Sequence, residues 1–346
     1  MTTARQTGSG ATIYSVAEHA GVSIATVSRV IQRPEVVSAA TRQRVLEAIE
    51  ALRYVPVSAA RSLAVRHHEA HGLVLPELSG PYYSELLMGF EGRAAELGQS
   101  VILLLADTKS DLPRAVRQLA TRVDALAVFG EVVDEPSVQR VLQAGKPVVV
   151  IAGEHRAGVE SIAAENVSSA AQLTEHVFAH GRKRLLFVGD PDAAPDIAGR
   201  YGGFVQAHRS RRRRPAGPVR IAFRENDGTT FADRMLAGEH VADALVCAND
   251  ELALSIMTRL QDAGRCVPDD LAVVGWDDVM TARYVRPGLT TVRQPVGGLG
   301  RLAAERLHEL VRGGGVNATP QVLATRLVLR QSCGCPPGSI PSPAHP

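Results

Sequence analysis

The amino-acid sequence predicts a small all-α domain at the N-terminus, followed by a large α/β domain built as two parallel-sheet subdomains. Before about residue 55, apolar residues recur at helical spacing. From about residue 70, short apolar runs alternate with helical patterns, which is typical of a parallel sheet. Two of these runs, VDALAVFGE and ADALVCANDE, share a D-A-L core, which favours two similar subdomains over one long sheet.

The composition is that of an ordinary globular protein, since 45% of its 346 residues are hydrophobic and 21% are charged. Its most apolar runs, such as VILLLAD and KPVVVIAG, fall far short of the about 20 residues that span a bilayer. The opening MTTARQTGSG has no apolar core of a signal peptide. We therefore expect a cytoplasmic protein with no membrane partner.

Three short helices are predicted in the N-terminal domain. The first and third follow from apolar residues at helical spacing, the third after a Ser38 cap: Ile13, Val16, Ala17 and Ala20, then Val45, Ile49 and Leu52. Ser23 is expected to cap the second helix, which runs to Gln32. Gly21 lies where a tight turn must precede it. This order of elements is a helix-turn-helix.

The second helix has an apolar side and a small or polar side: Val27, Val30 and Ile31 against Ala25, Ser28, Arg29 and Gln32. In a helix-turn-helix this helix enters the major groove of DNA. Arg29 could donate two hydrogen bonds to guanine there. A surface arginine on an amphipathic helix is the alternative, and the spacing leaves it open.

Eight apolar runs are predicted as strands in two sets of four: HGLVLPEL, SVILLLAD, DALAVFGE and KPVVVIAGE, then RLLFVGD, VRIAFREND, DALVCAND and LAVVGWDD. Nearly every run ends in a polar residue: Asp107, Glu131, Asp190, Asp227, Asp250 and Asp277. Two sheets whose carboxyl ends face each other would form a polar cleft. As the alternative, most of these carboxylates serve as helix N-caps.

Several motifs resemble the LacI/GalR (lactose-repressor) family of bacterial transcriptional regulators: TIYSVAEHAGVSIATVSRV, AARSLA, VCANDELAL, VPDDLAVVGWDD and LTTVRQPV. The resemblance spans essentially residues 12–333. It implies a helix-turn-helix domain over 12–57, a hinge helix and linker over 58–69, and an effector-binding and dimerisation domain over 70–334 that is similar to periplasmic sugar-binding proteins. Residues 1–11 and 335–346 are expected to be disordered tails.

The resemblance also assigns DNA contacts. It places Ile24, Ala25 and Arg29 at base edges, and it assigns phosphates and groove walls to Thr12, Tyr14, Ser23, Thr26, Ser28 and Tyr54. Residues 58–65 match a hinge helix whose Leu63 wedges into the minor groove at the operator centre. Val57 and Gln32 depart from the family pattern. The spacing of Ile24 also suits a core position, so its exposure is left open.

Small-molecule contacts implied by the resemblance are Arg200, Asn249 and Asp277. Carboxylate, amide and guanidinium groups suit sugar hydroxyls. The alternatives are an internal ion pair for Arg200 and a helix cap for Asp277.

Two departures from the family lie in the same cleft. Ala152 stands where the family often has a polar residue, and Gly228 where many members have an aromatic that stacks on the ligand. We expect Tyr82 and Tyr83 to supply a replacement aromatic surface.

No cofactor and no metal ion are expected. Cys333-Gly-Cys335 offers two thiols without a nearby histidine pair, and we interpret it as a plain tail. GLGRLA at 298–303 lacks the preceding strand of a dinucleotide site, and neither a G-x-S-x-G elbow nor a Walker loop occurs. The chain is therefore not predicted to be an enzyme.

These features predict a sequence-specific DNA-binding transcriptional regulator, more commonly a repressor than an activator. Its partners would be a pseudo-palindromic double-stranded operator, a second copy of the chain in a homodimer, and a small-molecule effector such as a sugar or related metabolite. The alternative is a family member that binds operator DNA but has lost its response to a ligand.

Overall fold

The computed structural model describes residues 11–54, 67–130, 132–154, 156 and 158–339. The chain divides into two compact units, with the boundary between His68 and Glu69. Within the described ranges, no helix is both long enough and apolar enough to cross a membrane. The expected hinge helix at 58–65, with Leu63, lies outside the described residues, as do Val57, residues 1–10 and residues 340–346.

The described part of the first unit contains three short helices, as the apolar spacing predicts: Ile13–Ala20 (α1), Ile24–Gln32 (α2) and Ala39–Ala51 (α3). Each begins after a hydroxyl side chain that accepts a hydrogen bond from a backbone N–H three residues further on: Thr12, Ser23 and Ser38. Gly21 ends α1 in the left-handed conformation at φ 62°. This conformation lets the chain turn sharply into α2.

A compact apolar core holds these helices together. Val16, Val27 and Val45, one from each helix, are fully buried, and alanines pack between them. Because one side of α2 is committed to this core, its opposite side is left for solvent or a partner.

The second unit alternates strands and helices. Its strands are Ala70–Leu75 (β1), Ser100–Leu105 (β2), Ala125–Phe129 (β3), Val148–Ile151 (β4), Glu160–Ala164 (β5), Leu185–Val188 (β6), Ala244–Cys247 (β7), Ala272–Val274 (β8), Thr291–Arg293 (β9), Gln321–Leu323 (β10) and Arg326–Val328 (β11). Its helices are Pro81–Glu96 (α4), Leu112–Ala120 (α5), Glu135–Gln143 (α6), Val167–Ala179 (α7), Pro195–Ser210 (α8), Glu225–Leu236 (α9), Asp250–Asp262 (α10) and Val296–Val311 (α11).

Two separate parallel sheets form the centres of two subdomains, as predicted. The first has the strand order β10-β5-β4-β3-β1-β2, and the second has the order β6-β7-β8. A short antiparallel pair, β9 with β11, joins the second subdomain through isolated bridges to residues at and just beyond β8. Such buried parallel strands require the near-continuous apolar runs that the sequence contains.

The prediction of two sets of four strands is wrong in detail. The run VRIAFREND forms no strand, because only Val219 pairs, through one bridge to Val188 of β6. Strand β5 was not predicted because its sequence, ESIAA, begins with a buried glutamate. Strands β9, β10 and β11 are three residues long each, too short for an alternating pattern to stand out.

The chain passes between the two subdomains three times: after β5, after β9 and after β10. The third crossing returns the chain to the second subdomain from β10 of the first sheet. Helix α11, which follows the second crossing, packs closely on α4 of the first subdomain. A Cβ at Gly300 would lie 2.2 Å from the carbonyl oxygen of Leu86, so this close approach requires glycine.

Candidate nucleic-acid interface and ligand cleft

The exposed side of α2 carries the residues predicted to read DNA bases. Ala25 and Arg29 are exposed, and Ile24 is 41% exposed. The ambiguity of Ile24 is therefore resolved toward the surface, whereas Val27 and Val30 on the opposite side are buried. An exposed apolar side chain beside an arginine on the outer side of a second helix can contact a thymine methyl next to a guanine edge.

Hydroxyl groups at the starts of α1 and α2 have two possible uses. Thr12 Oγ1 accepts a hydrogen bond from the Ser15 N–H at 3.3 Å, and Ser23 Oγ accepts one from the Thr26 N–H at 3.1 Å. Ser23 Oγ also lies 2.9 Å from Thr26 Oγ1. These caps fix hydroxyl and amide donors at the positive ends of two helices, which suits a phosphate.

The other predicted DNA contacts in the first unit differ in exposure. Tyr14 is 69% exposed, so its ring and hydroxyl group are accessible to a partner. Ser28 is half-buried. Tyr54, at the end of the described part of this unit, is half-buried and packs against the small core.

A cleft of about 1060 Å³ lies between the two sheets of the second unit. All five residues predicted to contact a small molecule line it: Tyr82, Tyr83, Arg200, Asn249 and Asp277. Tyr82 and Tyr83 come from α4 of the first subdomain, and the other three come from the second. The cleft size is typical of sites that enclose a small molecule.

An aromatic cluster forms the wall that the first subdomain contributes. Tyr82, Tyr83 and Phe129 meet edge to face, with ring centroids 5.2–5.8 Å apart. Burial, with the nearby carboxylates of Asp196 and Asp277, raises the pKa of Tyr82 well above its usual value. Both tyrosines therefore stay neutral and can offer rings and hydroxyl groups to a ligand.

Asp277 lies at the end of the second sheet in a strained backbone conformation, with φ 122°, and φ of the next residue, Asp278, is 60°. Gln294 Nε2 donates to Asp277 Oδ1 at 2.6 Å. Burial raises the pKa of Asp277 to about 8, although Arg200 acts in the opposite direction. Asp277 caps no helix, so the cap alternative is wrong.

Asn249 and Asp250 divide two tasks at the start of α10. Asn249 is the N-cap, because its Oδ1 accepts from the Leu252 N–H at 3.0 Å. Its amide nitrogen is the group left to donate to a ligand. Asp250 holds the loop that carries Asp277, since its oxygens accept from the Val279 N–H at 2.9 Å and from Thr291 Oγ1 at 2.7 Å.

Arg200 is buried and makes the internal contacts that the sequence left as an alternative. Its Nε donates to Asn166 Oδ1 at 2.9 Å, and its Nη1 donates to the Ala248 carbonyl oxygen at 2.7 Å. Nη2 lies 3.7 Å from Asp196 Oδ2, and the guanidinium stacks over the Trp276 ring. Since these contacts occupy much of its donor capacity, little is left for an anionic ligand.

Two residues that sequence reasoning missed connect the cleft to the crossings between the subdomains. Asn166, which holds Arg200, immediately precedes α7 in the first crossing, and Gln294, which holds Asp277, lies in the second. Their signal in the sequence is weak, because Asn166 belongs to no quoted motif and Gln294 belongs to LTTVRQPV, a motif to which no ligand contact was assigned. Only the folded chain brings them into contact with Arg200 and Asp277, which line the cleft.

The cleft is acidic. Among the described residues that line it, seven carry carboxyl groups and three are arginines: Glu77, Asp107, Asp196, Glu225, Glu251, Asp262 and Asp277 against Arg200, Arg224 and Arg259. Burial raises the pKa of Asp196, and burial with neighbouring Glu77 and Glu225 raises the pKa of Glu251. With Asp277 protonated at neutral pH, the other carboxyl groups still outnumber the arginines, so the cleft disfavours an anionic ligand.

The polar strand ends predicted at the cleft serve different roles, and the expectation that most are helix N-caps is wrong, because none of the five described ones is an N-cap. Asp107 and Asp277 line it, whereas Asp250 supports the loop and Asp190 pairs with Arg220 on the surface. Asp227 lies in the first turn of α9. Glu131 lies outside the described residues.

The expectation for Gly228 is wrong. Gly228 is buried in α9 against α10, where a Cβ would lie 2.0 Å from Ser255 Oγ, so no aromatic fits there. Phe223, just before this helix, lines the cleft instead. Ala152 does line the cleft, as a small apolar residue.

The interpretation of the two C-terminal cysteines needs correction too. Cys335, assigned to a disordered tail, is buried, and so is Cys333. The argument that no histidine pair lies near them is wrong, because His176 contacts both thiols and His180 contacts that of Cys335. Sequence distance hid this cluster, since 155 residues separate His180 from Cys335.

Comparisons with known proteins agree with this division of the chain. Residues 12–57 match a family model described as bacterial regulatory proteins, lacI family, and residues 174–333 match a periplasmic binding protein-like domain. The HTH-type transcriptional repressor PurR of Haemophilus influenzae is 30% identical over 332 residues, which cover 93% of this chain and 98% of that protein. Catabolite control protein A of Priestia megaterium is 30% identical with the same coverage.

Two solved structures are similar over almost the whole chain. The lac repressor dimer bound to operator and the anti-inducer ONPF has a TM-score of 0.84 at 28% identity, covering 94% of this chain and 99% of that one. The complex of the transcriptional regulator CelR with cellobiose has a TM-score of 0.70 at 28% identity, covering 93% and 99%.

Proposed function

We propose that this chain, which belongs to the LacI family of bacterial regulatory proteins, represses transcription as a cytoplasmic homodimer on a pseudo-palindromic operator and is controlled by a neutral saccharide in its cleft. The observation that carries this proposal is the presence of two different binding surfaces on one chain. One is the exposed polar side of α2, and the other is an acidic, aromatic-walled cleft.

The DNA-binding role rests on α2. Ile24, Ala25 and Arg29 share its exposed side, and the capped starts of α1 and α2 present donors for phosphates. One short helix reads few base pairs, and each specific contact is worth about 1–3 kcal/mol. Two copies on a two-fold site double that discrimination, which favours a homodimer.

Exposed apolar residues of the second unit support association with a second copy. Met88 on α4 is 75% exposed, and Met280 and Tyr284 at the two ends of a 3₁₀ turn after β8 are nearly as exposed. Met280 and Tyr284 lie only four residues apart, and a contiguous exposed apolar patch is typical of a protein interface. Analytical ultracentrifugation tests this point, since a monomer at micromolar concentration would contradict it.

The chemistry of the cleft favours a neutral polyhydroxylated effector. Aromatic rings of Tyr82, Tyr83 and Phe129 can pack against the apolar face of a sugar ring. Asp277 and Asn249 can bind its hydroxyl groups. The excess of carboxylates disfavours sugar phosphates and acidic metabolites, and the cleft volume exceeds what one hexose ring fills.

The hydrogen bonds to the crossings offer a route from effector to DNA. A ligand that moves Arg200 or Asp277 also moves Asn166 or Gln294. These two residues lie in two of the three crossings between the subdomains. A change of angle between the subdomains would alter the dimer interface and the hinge segment. Coupling of this kind requires the effector to prefer one of the two arrangements.

A thermal-shift panel tests the effector class. We expect neutral disaccharides or longer saccharides to raise the melting temperature, since a ligand at 100 times its Kd adds about 2.7 kcal/mol. Tighter binding of a sugar phosphate would contradict the argument from cleft charge. Indifference to every saccharide, nucleoside and acidic metabolite would favour the alternative of a family member that has lost its ligand response.

A further inference from the structure

Four side chains from distant parts of the chain converge at the edge of the second subdomain. His176 and His180 lie one turn apart near the end of α7, and Cys333 and Cys335 follow β11. We call these four residues the Cys–His cluster. Their ligand atoms, two Nε2 and two Sγ, all lie within 4.8 Å of one another.

Individual distances in the Cys–His cluster are those of a shared ligand sphere. The two Nε2 atoms are 3.2 Å apart, and His176 Nε2 lies 3.4 Å from Cys333 Sγ and 3.3 Å from Cys335 Sγ. His180 Nε2 lies 3.2 Å from Cys335 Sγ. In a tetrahedral zinc site with Zn–N near 2.0 Å and Zn–S near 2.3 Å, ligand atoms are about 3.3–3.8 Å apart.

The backbone prepares this arrangement. Spacing of four residues puts both imidazoles on one side of α7. Gly334 adopts φ 108°, which lets the chain present Cys333 and Cys335 to the same point. No disulfide joins the two cysteines, and both thiols are buried while both histidines are only half-buried. A metal ion would therefore have an open side by which to enter.

We propose that the Cys–His cluster is a structural zinc site with two thiolate and two imidazole ligands. Thiolate and imidazole ligands in tetrahedral array select Zn²⁺ over the hard cations Mg²⁺ and Ca²⁺. Four protein ligands leave no open position for a reacting water, so the site is structural rather than catalytic. The charge of two thiolates balances that of the ion.

The zinc ion would anchor the C-terminal segment to α7. Residues 331–335 also contact the end of the second sheet, where the Ser332 hydroxyl donates to the Val273 carbonyl oxygen and accepts from the Thr290 N–H at 2.8 Å. Helix α7 begins beside Asn166 and thus beside the cleft. A metal at its other end would hold the helix, the sheet and the C-terminal segment as one body.

Hydrogen bonding among neutral thiols and imidazoles is the competing explanation for the cluster. Burial, and to a smaller extent the neighbouring His180, lowers the pKa of His176 to about 4. The ring is therefore neutral, and its lone pair can either accept a hydrogen bond or bind a metal ion. A hydrogen-bonded cluster would form without metal. It would also gain nothing from added Zn²⁺.

The experiment uses the full chain without a histidine tag, because such a tag itself binds metal. A phosphine reductant keeps the cysteines reduced and contributes no thiol of its own. Metal content is measured after purification, and the metal-free chain is then titrated with Co²⁺ and Zn²⁺. We expect one equivalent per chain, the visible absorption of tetrahedral thiolate-bound Co²⁺, its displacement by Zn²⁺, and a higher melting temperature with Zn²⁺.

Matched variants locate the site. Cys335→Ser and His180→Asn should weaken Zn²⁺ binding by about 100-fold or more, because even partners outside the ligand sphere cost about 10–100-fold. Cys266→Ser removes an exposed free cysteine elsewhere and should bind like the wild type. If either cluster variant fails to fold, the Co²⁺ spectrum of the wild-type chain still decides.

Two results would overturn the assignment. One is a reduced, folded wild-type chain that takes up neither Co²⁺ nor Zn²⁺ at micromolar concentration. The other is a folded Cys335→Ser or His180→Asn variant whose Zn²⁺ affinity equals that of Cys266→Ser. Both readouts are independent of DNA and saccharide binding, so they stand apart from the proposed regulatory function.

Discussion

The exposed side of α2 and the wall of the cleft are both built for outside partners, yet they are supported in opposite ways. Residues on α2 depend on neighbours in sequence: Ser23 caps the helix through Thr26, three residues away. The cleft depends on distant partners, since Arg200 reaches Asn166 across 34 residues and the Ala248 carbonyl across 48.

This difference determines what a substitution does. A side chain exposed on α2 can be removed without opening the core, so the change is confined to DNA affinity. A side chain in the cleft wall is buried and linked to a crossing between subdomains, so its removal affects ligand affinity, stability and the response together. Four substitutions, in order of decreasing expected effect, test this contrast.

Arg29→Ala should produce the largest change, and only in DNA binding. Loss of a bidentate guanine contact costs about 1–3 kcal/mol, or roughly 5- to 150-fold for each half-site, and a dimer loses two. Fluorescence anisotropy with a selected operator measures it. Arg44→Ala, which removes an exposed arginine from α3, should retain most of the affinity. Equal losses in both variants would mean that only overall charge matters.

Asp277→Ala should weaken saccharide binding by about 5- to 150-fold, since a ligand hydroxyl left without its buried hydrogen-bond partner costs about 1–3 kcal/mol. Operator affinity without effector should stay within a few-fold of wild type. Calorimetric titration measures the saccharide affinity. The control is Asp192→Ala, which removes an exposed carboxylate. An unchanged saccharide affinity would remove Asp277 from the site.

Asp277→Asn should change how stability depends on pH. The pKa of Asp277 is about 8 in the folded chain, above the value of 3.8 in the unfolded chain. Its contribution to the free energy of unfolding is therefore fully present below pH 3.8 and is lost as pH rises through 8. Between pH 6 and 8 the free energy of unfolding of the wild type should fall by on the order of 2 kcal/mol relative to that of the variant. Denaturant unfolding at several pH values tests this. Parallel profiles would show that Asp277 ionises normally.

Ser23→Ala should have the smallest effect on stability and reveal a second role. Loss of the N-cap costs about 0.5–2 kcal/mol, and Ser38→Ala, which removes the same kind of cap from α3, should cost a similar amount. Hydrogen exchange of α2 and α3 amides measures both. Only Ser23→Ala should also weaken operator binding, and an equal loss for Ser38→Ala would contradict a phosphate contact at Ser23.

The three helices of the first unit could be predicted from the sequence because local patterns determine them. Caps, apolar spacing and Gly21 all act within a few residues of one another. The resemblance to the family supplied Arg200, Asn249 and Asp277, and the lack of an aromatic at Gly228 suggested Tyr82 and Tyr83. All five line the cleft. Neither route could find Asn166 or Gln294, because their partners lie far along the chain and no spacing encodes them.

The same limit explains the two largest errors. Gly228 and Phe223 are five positions apart, and a helix that starts between them decides which of the two faces the cleft. His176 and His180 have no sequence relation to Cys333 and Cys335. Their meeting depends on how α7 packs beside the end of β11, which only the fold determines.

One measurement tests the central claim most directly: the affinity of the full chain for its selected operator duplex, with and without saccharide, at moderate ionic strength with bulk competitor DNA. We predict strong preference for the selected duplex, a change of at least about 5-fold on adding the saccharide, as is typical of coupled sites, and loss of that change in Asp277→Ala. Binding no tighter than to competitor DNA would contradict the account.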